Sequence, residues 1–97
     1  MQFTKKLRPR IKSGEISFTV RIWSKPRVKI GGRYRFEEGE VVVTSMREIS
    51  FEDINDELAK RSGFGGAIDL LKTAKHGKGR RVFLIEFRFE KDATRVS

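Results

Sequence analysis

The chain has 97 residues, room for one small hydrophobic core and not two. With 37% hydrophobic residues, eight Phe and no Cys, a compact core is feasible, while disulfides, thiolate zinc sites and cysteine nucleophiles are excluded. Twenty-two Lys and Arg against thirteen acids give a net charge of +9, and no apolar run approaches the roughly 20 residues needed to span a bilayer.

The charge is unevenly placed. Residues 1–36 hold eleven Lys and Arg and a single acid, Glu15, whereas residues 37–97 hold eleven Lys and Arg and twelve acids. An excess confined to one third of the chain implies a basic surface whose natural partner is polyanionic, nucleic acid ahead of a membrane surface. The plainer alternative is a well-solvated, thermally adapted exterior. No apolar h-region or small-residue cleavage site follows Met1, so the expectation is a soluble, cytoplasmic protein.

In chain order, Met1–Lys6 reads as an edge strand or extended arm anchored by Phe3. Pro9–Ser13 reads as one helical turn, with Pro9 in its first turn, Ile11 buried and Gly14 closing it. Ile16–Trp23 alternates and is the first firm strand. Ile16, Phe18, Val20 and Ile22 form one face; Ser17, Thr19, Arg21 and Trp23 form the other. Ser24–Gly32 is a basic loop broken by Pro26 and closed by the Gly31–Gly32 turn. Arg33–Phe36 is a short strand, and Glu40–Arg47 a Val-rich one. Ser50 with Asp53 marks a helix start, and Asp53–Lys60 follows as a short helix or pair of turns. The SGFGG stretch (62–66) is a break, and Gly66–His76 carries apolar residues at helical spacing up to a Gly77 stop. Val82–Phe89 is the last strand, with Phe83, Ile85, Phe87 and Phe89 on one face and Glu86 and Arg88 on the other. A frayed tail spans residues 91–97. The pattern has no βαβ alternation, so it predicts an α+β, mainly β domain over residues 1–97, its core at roughly 3–89: a small curled sheet, closed or nearly closed.

Catalytic motifs are sparse. His76 is the single histidine, at a predicted helix end, and supports neither a Ser–His–Asp constellation nor a transition-metal site; no metal or cofactor is expected. The GFGG turn lacks the ending of a phosphate-binding loop. The cluster Glu37, Glu38 and Glu40 reads as a solvated turn. The nucleic-acid signal is stronger. Arg21, Lys25, Arg27, Lys29, Arg33 and Arg35 fall within fifteen residues, with Trp23 and Tyr34 among them. Cations hold phosphates and a flat ring stacks a base. For Trp23 two roles stand open: stacking on a base, or capping the open end of a barrel. The KHGKGRR segment (75–81) would add to the basic patch if the fold brings it near.

These stretches together resemble the ASCH domain family of the PUA-like fold group. The resemblance rests on I-x-S-G-x-x-x-x-T-x-R from Ile11 to Arg21 and on VKIGGRYRF (28–36). It continues through V-x-V-x-S-x-x-x-I-S-F-E-D-I from Val41, A-x-x-S-G-F from Ala59 and VFLIEF (82–87), in that order. It implies a PUA-like β-barrel of about five strands with two or three short helices, a cleft beside the Gly-to-Arg motif, and binding of RNA or a modified nucleoside. In the family's amidohydrolases, which act on acetylcytidine, the motif G-x-K-x-x-T-x-R supplies a Lys and a Thr, helped by a Glu. Gly14, Thr19 and Arg21 match it here, but Ile16 stands at the lysine position and Ser62 at the glutamate position. An isoleucine carries no proton to exchange, which leaves Thr19 without an activator.

The reading is therefore a non-catalytic RNA-binding module for single-stranded or looped RNA. Its interface residues are Lys12, Ser17, Thr19, Arg21, Trp23, Lys25, Arg27 and Lys29: cations for phosphates, Trp23 for stacking, Ser17 and Thr19 for a base or ribose edge. The alternative is a small hydrolase acting on a modified nucleoside or an RNA phosphodiester, with Thr19, Arg21 and Glu15 as its candidates.

Overall fold

The computed structural model describes residues 3–74 and 79–92, which contain four strands and three α-helices. The helices are α1 (Arg8–Lys12), α2 (Asp56–Arg61) and α3 (Ala67–Ala74). The strands are β1 (Phe18–Trp23), β2 (Arg33–Phe36), β3 (Gly39–Ile49) and β4 (Arg81–Lys91). They form one curled antiparallel sheet in the order β1-β4-β3-β2, a half-barrel. The expected C-terminal turn of the last helix, with His76 and Gly77, falls within residues 75–78, and most of the expected tail within 93–97; both lie outside the described residues.

Among the described residues four strands stand where about five were expected, and from Phe3 onward the N-terminal segment does not pair. After Phe3 the chain turns through a 3-10 helix at Lys5–Leu7, with Leu7 N–H donating to the Thr4 carbonyl at 3.0 Å, and runs directly into α1. Leu7 and Ile11 lie one turn apart on this helical run, and Phe3, just ahead of it, joins them in a single cluster with Ile16, Phe36, Val41 and Phe87. Pro9, with no N–H to give a ladder, sits in the first turn of α1.

Both faces of the sheet carry a core cluster. On the outer face Phe18, Val20, Ile22, Val82 and Leu84 pack under α2 and α3 through Ala59 and Leu70. On the inner, concave face Trp23, Val43, Phe83 and Ile85 form a second group, joined by Val28, Tyr34 and Met46. The central strand β4 supplies both faces by simple alternation. β3 does so only through a bulge: its register against β4 slips between Val43 and Ser45, leaving Thr44 as the extra residue. Val41 and Val43 point inward before it, and Met46 points inward after it. Arg47 and Ile49 are thereby turned to the outer face.

The helix starts follow the local sequence. Ser50 and Asp53 form a reciprocal capping box around the 3-10 turn Phe51–Asp53, so that turn precedes α2 instead of opening it. Asn55 caps α2 by accepting from Leu58 N–H at 2.8 Å. Gly63 then reverses the chain at φ +98°, where a Cβ would come within 2.7 Å of Ile16 Cδ1 and of Leu7.

Candidate nucleic-acid interface

The polar face of β1 is not an open surface. Because the sheet curls and β1 is packed on both sides, Thr19 and Trp23 are each only 5% exposed. The Trp23 indole packs against the Phe83 ring, 6.0 Å between centroids, within the inner cluster. This corrects the stacking role: the ring has no open face for a base, and Trp23 caps the concave end of the half-barrel. Arg21 is largely buried, its guanidinium 5.0 Å above the Phe3 ring, and burial pushes its pKa below the ordinary arginine value. A desolvated cation over an aromatic face is worth about 2 kcal/mol. Arg21 and Thr19 are thus interior groups and not phosphate or ribose contacts. Period-2 parity placed these residues on one face correctly; nothing in it signals that the face is lined by a second core.

The basic loop is where exposed charge collects. From Trp23 at one sheet edge the chain crosses the concave side to β2 at the other edge, and Val28 turns inward against the Trp23 group to fasten it. The Tyr34 hydroxyl accepts from Lys29 N–H at 3.1 Å, and Gly31 N–H donates to the Val43 carbonyl at 2.8 Å. The backbone is fixed, while the side chains of Lys25, Arg27 and Lys29 are exposed and make no ion pair or hydrogen bond among the described residues. Exposed Arg80 lies at the same end. Trp23 is opposite Arg81 in the ladder, and Gly79 abuts Trp23 so closely that a Cβ there would fall 2.5 Å from the Trp23 carbonyl carbon. The described part of the second basic segment, residues 79–81, therefore does adjoin the loop.

The other expected contacts lie elsewhere. Lys12 bonds Glu38 at 2.7 Å beside the β2–β3 turn, at the far end of β4 from the loop, and that hydrogen bond raises the Lys12 pKa and lowers that of Glu38. Ser17 is exposed on the outer face, beside Phe18 and Glu86. Of the residues weighed for hydrolysis, Glu15 is held by Arg10 at 2.8 Å, Thr19 is buried and Arg21 faces Phe3. Ile16 and the Ser62–Gly63 turn do come together, but as packing: Ile16 is 2% exposed, and the Ser62 hydroxyl donates to the Ala59 carbonyl.

Several other cations are neutralised. Arg33 bonds Glu90 at 2.8 Å and also reaches Glu40; Arg35 holds both oxygens of Asp92; Arg81 holds Glu48 at 2.9 Å. These hydrogen bonds lower the pKa of Glu90, Asp92 and Glu48. Arg33 and Arg35, close to the loop in sequence, thus add little field to it. Three exposed apolar groups were not foreseen, Ile30 in the loop, Phe51 in the 3-10 turn and Ile68 in α3. Phe51 is flanked by Glu52 and Asp53, which repel phosphates, and its place in a capping box is the one signal that could have exposed it. No group of three or more His, Asp or Glu side chains poised to hold a metal occurs among the described residues, and none of their helices is long and apolar enough to cross a membrane. No family model, curated protein or solved structure matches the chain.

Proposed function

We propose that this protein binds RNA as a non-catalytic module of PUA-like, ASCH type, using the Ser24–Gly32 loop as its phosphate contact. The observation that carries the reading is the loop itself: Lys25, Arg27 and Lys29 stay exposed without acidic partners beside Arg80, while other arginines, among them Arg33, Arg35 and Arg81, are matched to carboxylates. A held backbone presenting unneutralised cations is suited to a polyanion. With Trp23 interior, affinity rests on charge more than on stacking, so binding depends steeply on salt and weakly on sequence. The meeting of Ile16 with the Ser62–Gly63 turn supports the family resemblance, since these are the motif's lysine and glutamate positions; their apolar packing there supports binding without deacylation.

The test is the anisotropy of an end-labelled single-stranded RNA titrated with the protein across a salt series. Three or four phosphate contacts predict a slope of log affinity on log salt of about −2 to −3, from about 0.7 per phosphate on a single strand. The variant Lys25→Ala/Arg27→Ala/Lys29→Ala is expected to flatten that slope by about 2 with unchanged thermal stability. Binding that ignores salt, or a triple variant that binds like the parent, sinks the proposal.

A further inference from the structure

The outer face of the sheet carries a second, separate site. Beyond the edge of α2 a cleft of about 210 Å³ opens over Phe18 and Leu84, walled by Ser17, Arg47, Arg61 and Glu86. It continues past Arg47 into a wider recess of about 500 Å³ toward Ser50 and Asp53. The two share Arg47, Leu58 and Leu84 in their walls, and the wider recess is of a size usual for a small-molecule site.

Three exposed charges line this cleft without a counter-charge bonded to them. Arg47, Arg61 and Glu86 form no ion pair or side-chain hydrogen bond among the described residues. Arg47 stands opposite Leu84 in the ladder and Glu86 is two residues on, so the two are diagonal neighbours with backbones about 7–8 Å apart. They are within reach of each other and do not bond. Arg47 faces the cleft only because of the Thr44 bulge; without the slip its parity would be that of Val41 and Val43, pointing into the concave core. Bulges recur beside functional sites because they re-aim side chains in this way. The Arg61 guanidinium already lies over the Phe18 ring, 5.4 Å from its centroid, and Arg61 is an exposed residue. A guanidinium plane held on an aromatic ring is a surface on which a heterocycle stacks.

The sign pattern narrows the ligand. A simple anion would meet Glu86, and a simple cation would meet two arginines. A ligand that satisfies all three carries an acidic group, N–H donors and a flat ring. We propose that this cleft binds a nucleoside monophosphate whose base presents N–H donors, as guanine does. Its phosphate meets Arg47, its base stacks on Arg61 and donates to Glu86, and the Ser17 hydroxyl lies within the same wall. The site is distinct from the Ser24–Gly32 loop and does not depend on the RNA reading.

The test uses amide chemical-shift mapping and calorimetry on the full chain with GMP, guanosine and inorganic phosphate. GMP is expected to shift Ser17, Arg47, Arg61 and Glu86 and to bind at least about tenfold more tightly than phosphate. Arg47→Ala should weaken GMP about tenfold and guanosine little; Glu86→Gln should weaken GMP and guanosine while strengthening inorganic phosphate, because it removes the charge that opposes an anion. The loop triple-alanine variant should keep GMP binding whatever becomes of its RNA binding. The proposal is overturned if GMP produces no shifts at millimolar concentration, or if phosphate competes equally. It is likewise overturned if Glu86→Gln binds GMP as the parent does, or if the loop variant loses GMP.

Discussion

Trp23 contributes to this molecule as volume. Its indole fills the concave end against Phe83, Val43 and Ile85, so Trp23→Ala should cost about 3–5 kcal/mol in denaturant unfolding. Trp23→Phe keeps a ring in place and should leave RNA affinity within twofold of the parent by anisotropy; a large loss would restore a stacking role. The carboxylates make a second residue-scale prediction. Glu38, Glu48, Glu90 and Asp92 have pKa values lowered in the fold by hydrogen bonds from Lys12, Arg81, Arg33 and Arg35 respectively, Glu90 also from Arg88. A lowered folded pKa gives stability that is complete above the unfolded value and is lost as pH falls through the folded one. The melting temperature should therefore hold steady from pH 7 down to about 5 and decline below about pH 4. Added salt should shrink the decline, because all four groups are exposed.

Among the elements, those with strong local chemistry were legible in the chain: α1 from Pro9 and Ile11, β1 and β4 from alternation, the capped turn from Ser50 and Asp53. The bulge at Thr44 was not. By parity alone Val41, Val43, Ser45 and Arg47 would share one face, and only pairing with β4 reveals the slip. The N-terminal segment reads as an edge strand or extended arm anchored by Phe3; Phe3 is indeed buried and Thr4 extended, but Lys5–Leu7 are helical, and the spacing of Phe3, Leu7 and Ile11 already carried that signal. The candidate site failed at the same level, since alternation separates two faces of a strand without saying that a loop returns to cover the second. That return depends on close backbone contact at Gly79. Gly79→Ala would press a methyl group against Trp23 backbone atoms, and a loss of at least about 1–3 kcal/mol is expected by thermal or denaturant unfolding.

At the scale of the molecule, the long central strand separates two basic regions that adjoin in sequence. Lys12 and Glu38 lie by the Lys91 end of β4, whereas the basic loop leaves Trp23 at its Arg81 end. Lys12→Ala should accordingly lose its ion pair with little change in RNA affinity, measured beside the loop variant in one salt series. The same strand order bears on how the chain is made. β4 is the last of the four strands to be synthesised, yet it is the only one that β1 pairs with in the ladder. About 60 residues separate Trp23 from Arg81, so at translation rates of roughly 5–20 residues per second β1 waits about 3–12 s for its partner. During that interval its Phe, Val, Ile and Trp side chains lie in a strand with an unmatched backbone, and the nascent chain depends on the surrounding lysines and arginines to stay dispersed.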